Sequence, residues 1–258
     1  DKRCTRQYFK YTRIQGMCSE SREDIMKQLT GEVIYNCIKR TGETSNEHGV
    51  LLKEHVMDIY EDGELYTSVV CTEERLEELV IGRLVCDGMI RSMDEIKSLI
   101  ISDDCSVADV ELVESEIDDV LVQEHEVNYP DEWIFAMADV MAAGMELHDK
   151  TWAAHSCFLY KKEELLFACE DISRHNAVDK VVGYAVKNRI DFSQCAIYFS
   201  GRVPVDMLDK IITAGIPVLV SKGMPTMQAV ELAKEAKVTL VCGARQDQMR
   251  IYTDYRKK

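Results

Sequence analysis

Between Cys195 and Gly243 the chain alternates short apolar runs with amphipathic stretches, and no other feature limits its possible folds so strongly. CAIYF (195 to 199) leads to a helix that begins at Pro204 and ends at Ala214-Gly215. PVLVS (217 to 221) leads to a helix from Pro225 to Lys237, and VTLVCG (238 to 243) follows. Pro just inside a helix start and Gly just past an end are the expected punctuation. Strands that alternate with helices build a mainly parallel sheet with right-handed crossovers, so this half is α/β. AHSCFLY and LLFACE precede it, joined by Lys161-Lys162-Glu163 as a hairpin turn, so the sheet is entered by an antiparallel pair.

LLFACE runs into EDISRHNAVDKVVG, Glu170 to Gly183, where Asp171, Arg174, His175, Asn176, Asp179 and Lys180 crowd a strand-to-helix junction. Ser173 reads as an N-cap, and Val178, Val181, Val182 and Ala185 recur on one helical face. Free N–H groups and the positive dipole end at such a helix start suit a phosphate or carboxylate; a salt-bridged structural turn would use the same residues. Three further loops follow strand ends: Ser200-Gly201-Arg202, Ser221-Lys222-Gly223, and Cys242-Gly243-Ala244-Arg245-Gln246. In open α/β sheets ligands bind at that edge. Arg174, Arg202, Lys222 and Arg245 together predict an anionic ligand, with Gly201, Gly223 and Gly243 allowing backbone N–H groups close to a phosphate.

The N-terminal half is less regular. A helix is predicted over Arg22 to Ile38 with Ser21 as cap, then a loop over 42–49 and a hairpin turning at Asp62-Gly63. Thr72 reads as the cap of a helix carrying Leu76, Leu79, Val80 and Leu84 and ended by Gly88. Ser92 caps a further turn, and strands follow at Ile100-Ile101 and VADVELV. Tyr129-Pro130-Asp131 opens a helix from about Glu132 to Leu147 with Trp133, Met137, Val140, Met141 and Met145 as core contacts. The organisation is therefore an α+β N-terminal domain, residues 1–125, and an α/β domain, residues 126–258.

The formal charge of −15 is uneven. Ser98 through Asp149 holds fifteen Asp/Glu and no Lys or Arg, whereas from Lys150 onward seventeen Lys/Arg face twelve Asp/Glu, so an anion site belongs in the C-terminal half. No basic stripe with interleaved aromatics is present, which argues against nucleic acid. The ten cysteines form no CxxC and no zinc-like spacing. Several lie in apolar runs as small hydrophobes, and the reading is a reducing cytoplasm with no bound metal. No apolar stretch approaches the ~20 residues of a membrane helix and no signal-peptide pattern opens the chain, so a soluble, cytoplasmic protein is expected.

EDISRHNAVDKVVGYA, YFSGRVPVDMLDKIITAGIPVLVSKGMPTMQAVELA and VTLVCGARQDQMRIYT closely resemble the formate dehydrogenase accessory protein family, FdhD. The likeness is dense from about Thr151 and looser from Gly49. It implies a cytidine deaminase-like three-layer α/β fold and a cytoplasmic homodimer. It also implies a sulfurtransferase role, in which sulfur passes from a cysteine desulfurase to the molybdenum bis(guanine dinucleotide) cofactor, Mo-bis-MGD, before insertion into formate dehydrogenase. By the same resemblance Val241 through Gln246 bind the guanine dinucleotide. The family's threonine-glycine-glycine-x-histidine element appears as Thr151-Trp152-Ala153-Ala154-His155, which keeps His155 and loses both glycines. The family's persulfide-carrying CxxC would fall in Glu114 to Asp131, a short acidic stretch without cysteine. Cys105 and Cys157 are the nearest substitutes, the first set among Asp103, Asp104 and Asp109, which would raise its pKa, the second in an apolar strand. Three alternatives stay open: a hydrolase or deaminase-like enzyme on a small phosphorylated substrate with His155 or His175 as base, a non-catalytic cofactor-binding chaperone, or a structural partner docking a basic protein through the acidic segment.

Overall fold

The computed structural model describes residues 22–113 and 127–257. Its elements in chain order are α1 (Arg22–Leu29), β1 (Thr30–Ile38), β2 (Thr44–Leu52), β3 (His55–Glu61), β4 (Glu64–Cys71), α2 (Leu76–Cys86), β5 (Ile96–Ile101) and β6 (Val107–Leu112). After residue 126 come α3 (Asp131–Ala142), α4 (Glu146–Thr151), β7 (His155–Lys161), β8 (Glu164–Asp171), α5 (Arg174–Lys187), β9 (Cys195–Phe199), α6 (Val205–Thr213), β10 (Val218–Ser221), α7 (Met227–Glu235), β11 (Thr239–Cys242) and β12 (Arg250–Thr253).

The larger sheet has the order β12-β11-β10-β9-β7-β8. Strands β9, β10 and β11 run parallel; β7 is antiparallel to both β8 and β9, and β12 antiparallel to β11. Alternate residues serve its two faces. Phe158, Tyr160, Ala196, Tyr198, Val218, Val220 and Val241 pack with Ile134, Met137, Ala138, Val140 and Met141 of α3. Cys157, Leu159, Ile197, Phe199, Leu219 and Leu240 face the opposite way, toward α5, α6 and α7. That second cluster continues through α2 into the four-stranded sheet β4-β3-β6-β5, where Met57, Ile59, Val69, Ala108 and Val110 are buried. The fold is mixed α/β with two mixed sheets, and one core joins them. Among the described residues no helix is long and apolar enough to cross a membrane.

Helices α2 and α5 cross at van der Waals distance of their backbones. A Cβ on Gly82 would sit 1.7 Å from the Asp179 carbonyl oxygen, and one on Gly183 1.8 Å from that of Glu78. Only hydrogen fits at either position.

Four sequence expectations need correction. The helix from Arg22 stops at Leu29, and Thr30–Ile38 is a strand that pairs residue for residue with Thr44–Leu52, which begins inside the stretch read as a loop. Ile25, Leu29 and Val33 do share a helical spacing, but the β-branched run Val33-Ile34 and nine cross-strand pairs favour the extended chain. Gly42, at φ +85°, makes the turn. Thr72 does not cap α2, which starts at Leu76 behind Arg75 in the left-handed region, because Thr72 is fully buried and bonded to Lys180 and Asp171. The helix expected to reach Leu147 ends at Ala142. Gly144, at φ +79°, breaks it, and the Glu170 carboxylate restarts α4 by accepting from the N–H groups of Leu147 and His148 at 2.8 and 2.7 Å. Ser173 is the N-cap residue of α5, yet it is the Asp171 carboxylate that accepts the Ser173 N–H at 2.8 Å. Ser21 and most of the cysteine-free Glu114–Asp131 stretch lie outside the described residues.

Candidate functional site

The carboxyl ends of β8 to β11 and the start of β7 share one sheet edge, so the four loops read from the sequence do gather there. Three of them are stitched to one another. Lys222 N–H donates to Phe199 O at 3.0 Å, Thr226 N–H to Val203 O at 3.0 Å, and Ala244 N–H to Ser221 O at 3.0 Å. Ser221 is buried and donates its hydroxyl to Gly201 O while accepting the Gly223 N–H at 2.9 Å. A Cβ on Gly223 would lie 2.3 Å from Gly201 O. Gly223 and Gly243 both spend their N–H groups inside this lattice, the latter on Gly223 O at 2.8 Å, so these glycines serve loop-to-loop packing and not the phosphate approach expected of them.

Above the stitched loops, on the α3 side, lies a cavity of about 400 Å³ lined by Ala138, Met141, Ala142, Tyr198, Lys222, Ala244, Arg245, Gln246 and Asp247. Each wall has a local cause. Tyr198 donates its hydroxyl to Ala244 O at 3.0 Å and fixes the loop after β11. Arg245 N–H closes a tight turn on Gln248 O at 2.7 Å, and its guanidinium donates to the carbonyls of Lys222 and Ala244. Gln246 reaches across to Asp139 of α3, Nε2 to Oδ1 at 3.0 Å. Among the described residues neither Lys222 nor Arg245 has a carboxylate partner. Two cations that form no ion pair, beside an apolar wall, favour an anion carrying a flat or apolar body. Val241 and Cys242 point into the core from β11, and burial pushes the Cys242 thiol up to about 12.

A second group sits under the loop after β9. His155 Nδ1 lies 3.2 Å from Ser200 Oγ, which also accepts the Ser156 N–H at 3.1 Å. The Arg174 stem packs on Gly201, and its buried Nε has no partner among the described residues. Burial, then the Arg174 charge, holds the pKa of both His155 and His175 below the ordinary histidine value. His175 nevertheless meets Asp206, Nε2 to Oδ2 at 3.0 Å, in a separate cavity of about 650 Å³ shared with Ser173, Asn176, Arg83 and Lys210. Arg202 is exposed. Asp171 and Asn176 turn inward: Asp171 pairs with Lys180 at 2.6 Å, both fully buried, and Asn176 donates to Val70 O at 2.8 Å and to Asp171 at 3.1 Å.

The structure therefore brings Lys222, Ala244, Arg245 and Gln246 into one cavity, sets His155, Arg174 and Ser200 on the same edge outside its lining, and uses Asp171 and Asn176 as internal supports. The sequence marks Met141 only as a core contact and does not mark Tyr198, Asp247, Ala138 or Ala142 as site residues. Asp247 directly follows the CGARQ motif, which was the available signal. Trp152 has φ +56° and is 81% exposed.

The thiols are not activated. Cys157 is wholly buried, and burial raises its pKa well above the ordinary thiol value. Cys105 is raised first by burial and then by Glu73, with Asp104 and Asp103 behind them, so the expected direction holds with a different leading cause. Burial also pushes Cys71 and Cys195 up to about 12. Among the described residues no group of three or more His, Cys, Asp or Glu could hold a metal ion.

The chain is similar to known proteins along most of its length. The family model described as FdhD/NarQ matches residues 52–124 and 104–257. The chain is similar to the "Sulfur carrier protein FdhD" of Bacillus subtilis, 29% identical over 240 residues that cover 82% of this chain and 91% of the relative. It is also similar to "Protein FdhD" of Methanocaldococcus jannaschii, 43% identical over 105 residues, covering 41% and 45%. A crystal structure described as that of a formate dehydrogenase accessory protein from Desulfotalea psychrophila superposes with TM-score 0.78 at 24% identity, over 88% of this chain and 97% of that one, which establishes the fold. The family model spans most of the chain, including all four strand-end loops: the chain belongs to the FdhD/NarQ family.

Proposed function

We propose that this protein takes part in formate dehydrogenase maturation by holding a guanine dinucleotide form of the molybdenum cofactor, Mo-bis-MGD, at the strand-end cavity. The observation that carries the reading is the pair of cations, Lys222 and Arg245, without carboxylate partners, inside a cavity with an apolar α3 wall. A volume of about 400 Å³ suits one guanosine diphosphate arm of that cargo and not the whole of it. The phosphates fit the cations, and the base fits the side formed by Ala138, Met141 and Tyr198.

The names of the relatives add sulfur carriage and an accessory role toward formate dehydrogenase. The reading accordingly includes formate dehydrogenase as client, a cysteine desulfurase as sulfur donor, a cytoplasmic homodimer and the deaminase-like layering that the family resemblance implies. No described thiol has a lowered pKa, so the cofactor-holding half of that role is the one assigned to described residues, and no sulfur step is routed through Cys105 or Cys157. Hydrolysis of a ligand held there is not favoured, because neither His155 nor His175 lines the Lys222–Arg245 cavity.

Calorimetric titration with GDP tests the proposal. GDP should bind, and Arg245→Ala should weaken it roughly tenfold or more, the scale of one lost charge-assisted hydrogen bond. No binding, or binding indifferent to Arg245→Ala, overturns it.

A further inference from the structure

The strand-end cavity contains a group that an anion site should avoid. Asp247 lines it together with Lys222 and Arg245, yet among the described residues its carboxylate pairs with neither of them. Arg245 aims its guanidinium at the carbonyls of Lys222 and Ala244. The turn closed from Arg245 N–H to Gln248 O holds Asp247 at its tip, and neighbouring Gln246 is tied to Asp139. Two cations and one carboxylate thus line one cavity without an ion pair between them. A ligand that was only anionic would be repelled by Asp247. A ligand with phosphate at one end and hydrogen-bond donors at the other would satisfy both.

We infer that Asp247 is the residue that reads the base, accepting two hydrogen bonds from the Watson–Crick edge of guanine and so selecting guanine over adenine. The inference rests on the cofactor reading given above and deepens it. Among the common bases only guanine presents two adjacent donors, N1–H and the 2-amino group, to a two-oxygen acceptor. Adenine offers one donor beside a ring nitrogen that accepts, which would face a carboxylate oxygen lone pair to lone pair. Such a group discriminates because the wrong base turns an acceptor, not a donor, toward the carboxylate. Ala138, Met141 and Tyr198 supply surface for the ring body.

The test titrates the full chain with GDP, IDP, which lacks the 2-amino group, ADP, XDP and inorganic pyrophosphate, in the wild type, Asp247→Asn and Asp247→Ala. The wild type should prefer GDP to IDP and IDP to ADP. Asp247→Asn should weaken GDP roughly tenfold to a hundredfold, the span of a hydrogen-bonded charged group, without weakening pyrophosphate. It should also gain affinity for XDP, because xanthine turns an acceptor toward the new amide donor. Asp247→Ala should lose the guanine preference without that gain. Asp247 is exposed, so both variants should keep the wild-type melting curve. If GDP still binds Asp247→Asn undiminished and XDP gains nothing, the inference falls while the cofactor reading stands. If wild type binds pyrophosphate and prefers no base, the inference falls and only the anion site remains. If it binds neither GDP nor pyrophosphate, both fall.

Discussion

Lys180 and Asp171 are fully buried, and each charge is tolerable only because the other lies 2.6 Å away. Burial alone would pull the Lys180 ammonium down, but Asp171 and the surrounding groups outweigh it and leave the pKa raised. Thr72 completes the knot, accepting from Lys180 at 2.7 Å while its own N–H and hydroxyl donate to Asp171. Because Asp171 also accepts the Ser173 N–H, this pair fixes the start of the helix that carries Arg174 and His175. Lys180→Met should therefore lower stability by about 3–5 kcal/mol in urea unfolding, since it strands the Asp171 charge. Lys180→Met with Asp171→Leu should recover most of that loss. If the single variant costs no more than an ordinary surface change, the pair is not what anchors the helix start.

At the scale of elements, the α2–α5 crossing depends on two glycines, since any Cβ there would overlap a carbonyl. Gly82→Ala or Gly183→Ala should each cost about 3 kcal/mol or more, because neither backbone can retreat without opening the core between the sheets. Equal urea midpoints for wild type and either variant would show that the helices can slide apart cheaply. The elements readable from the sequence were those whose period was strong and locally consistent, such as CAIYF, PVLVS and VTLVC with their intervening helices. Arg22 to Ile38 was misread because three apolar residues happen to fit both a helical face and a helix-then-strand arrangement, and only pairing with a distant strand decides. The cavity was half readable. Lys222 and Arg245 announce themselves next to glycines after strands, whereas Ala138 and Met141 come from a helix about a hundred residues away and look like any other core face. Likewise Asp171 and Asn176 carry the same residue types as a ligand site. Nothing local distinguishes a carboxylate spent on a buried lysine from one waiting for a substrate.

The whole molecule should respond to mild acid. Folded His155 and His175 resist protonation, first through burial and then through Arg174, while in the unfolded chain they take protons below about pH 6.5. With the folded values depressed, the unfolded state binds more protons in that window, so stability falls as pH drops from 7 toward 5. Urea midpoints at pH 7 and pH 5 should show wild type losing more stability than the His155→Gln/His175→Gln variant. Identical losses would mean that other groups govern the acid limb.

The Gly82–Gly183 contact also sets an order of events in time. The two glycines are 101 residues apart, since 183 less 82 is 101. At synthesis rates of about 5–20 residues per second, α2 leaves the ribosome some 5–20 s before its partner helix. Throughout that interval Leu79, Val80, Ile81, Leu84 and Val85, all buried in the finished protein, have only the four-stranded sheet to lean on. The nascent chain therefore leaves this apolar helix face without its α5 partner at a defined stage of translation. The pace of the ribosome through the acidic stretch between the halves should govern the yield of folded protein while leaving every contact in it unchanged.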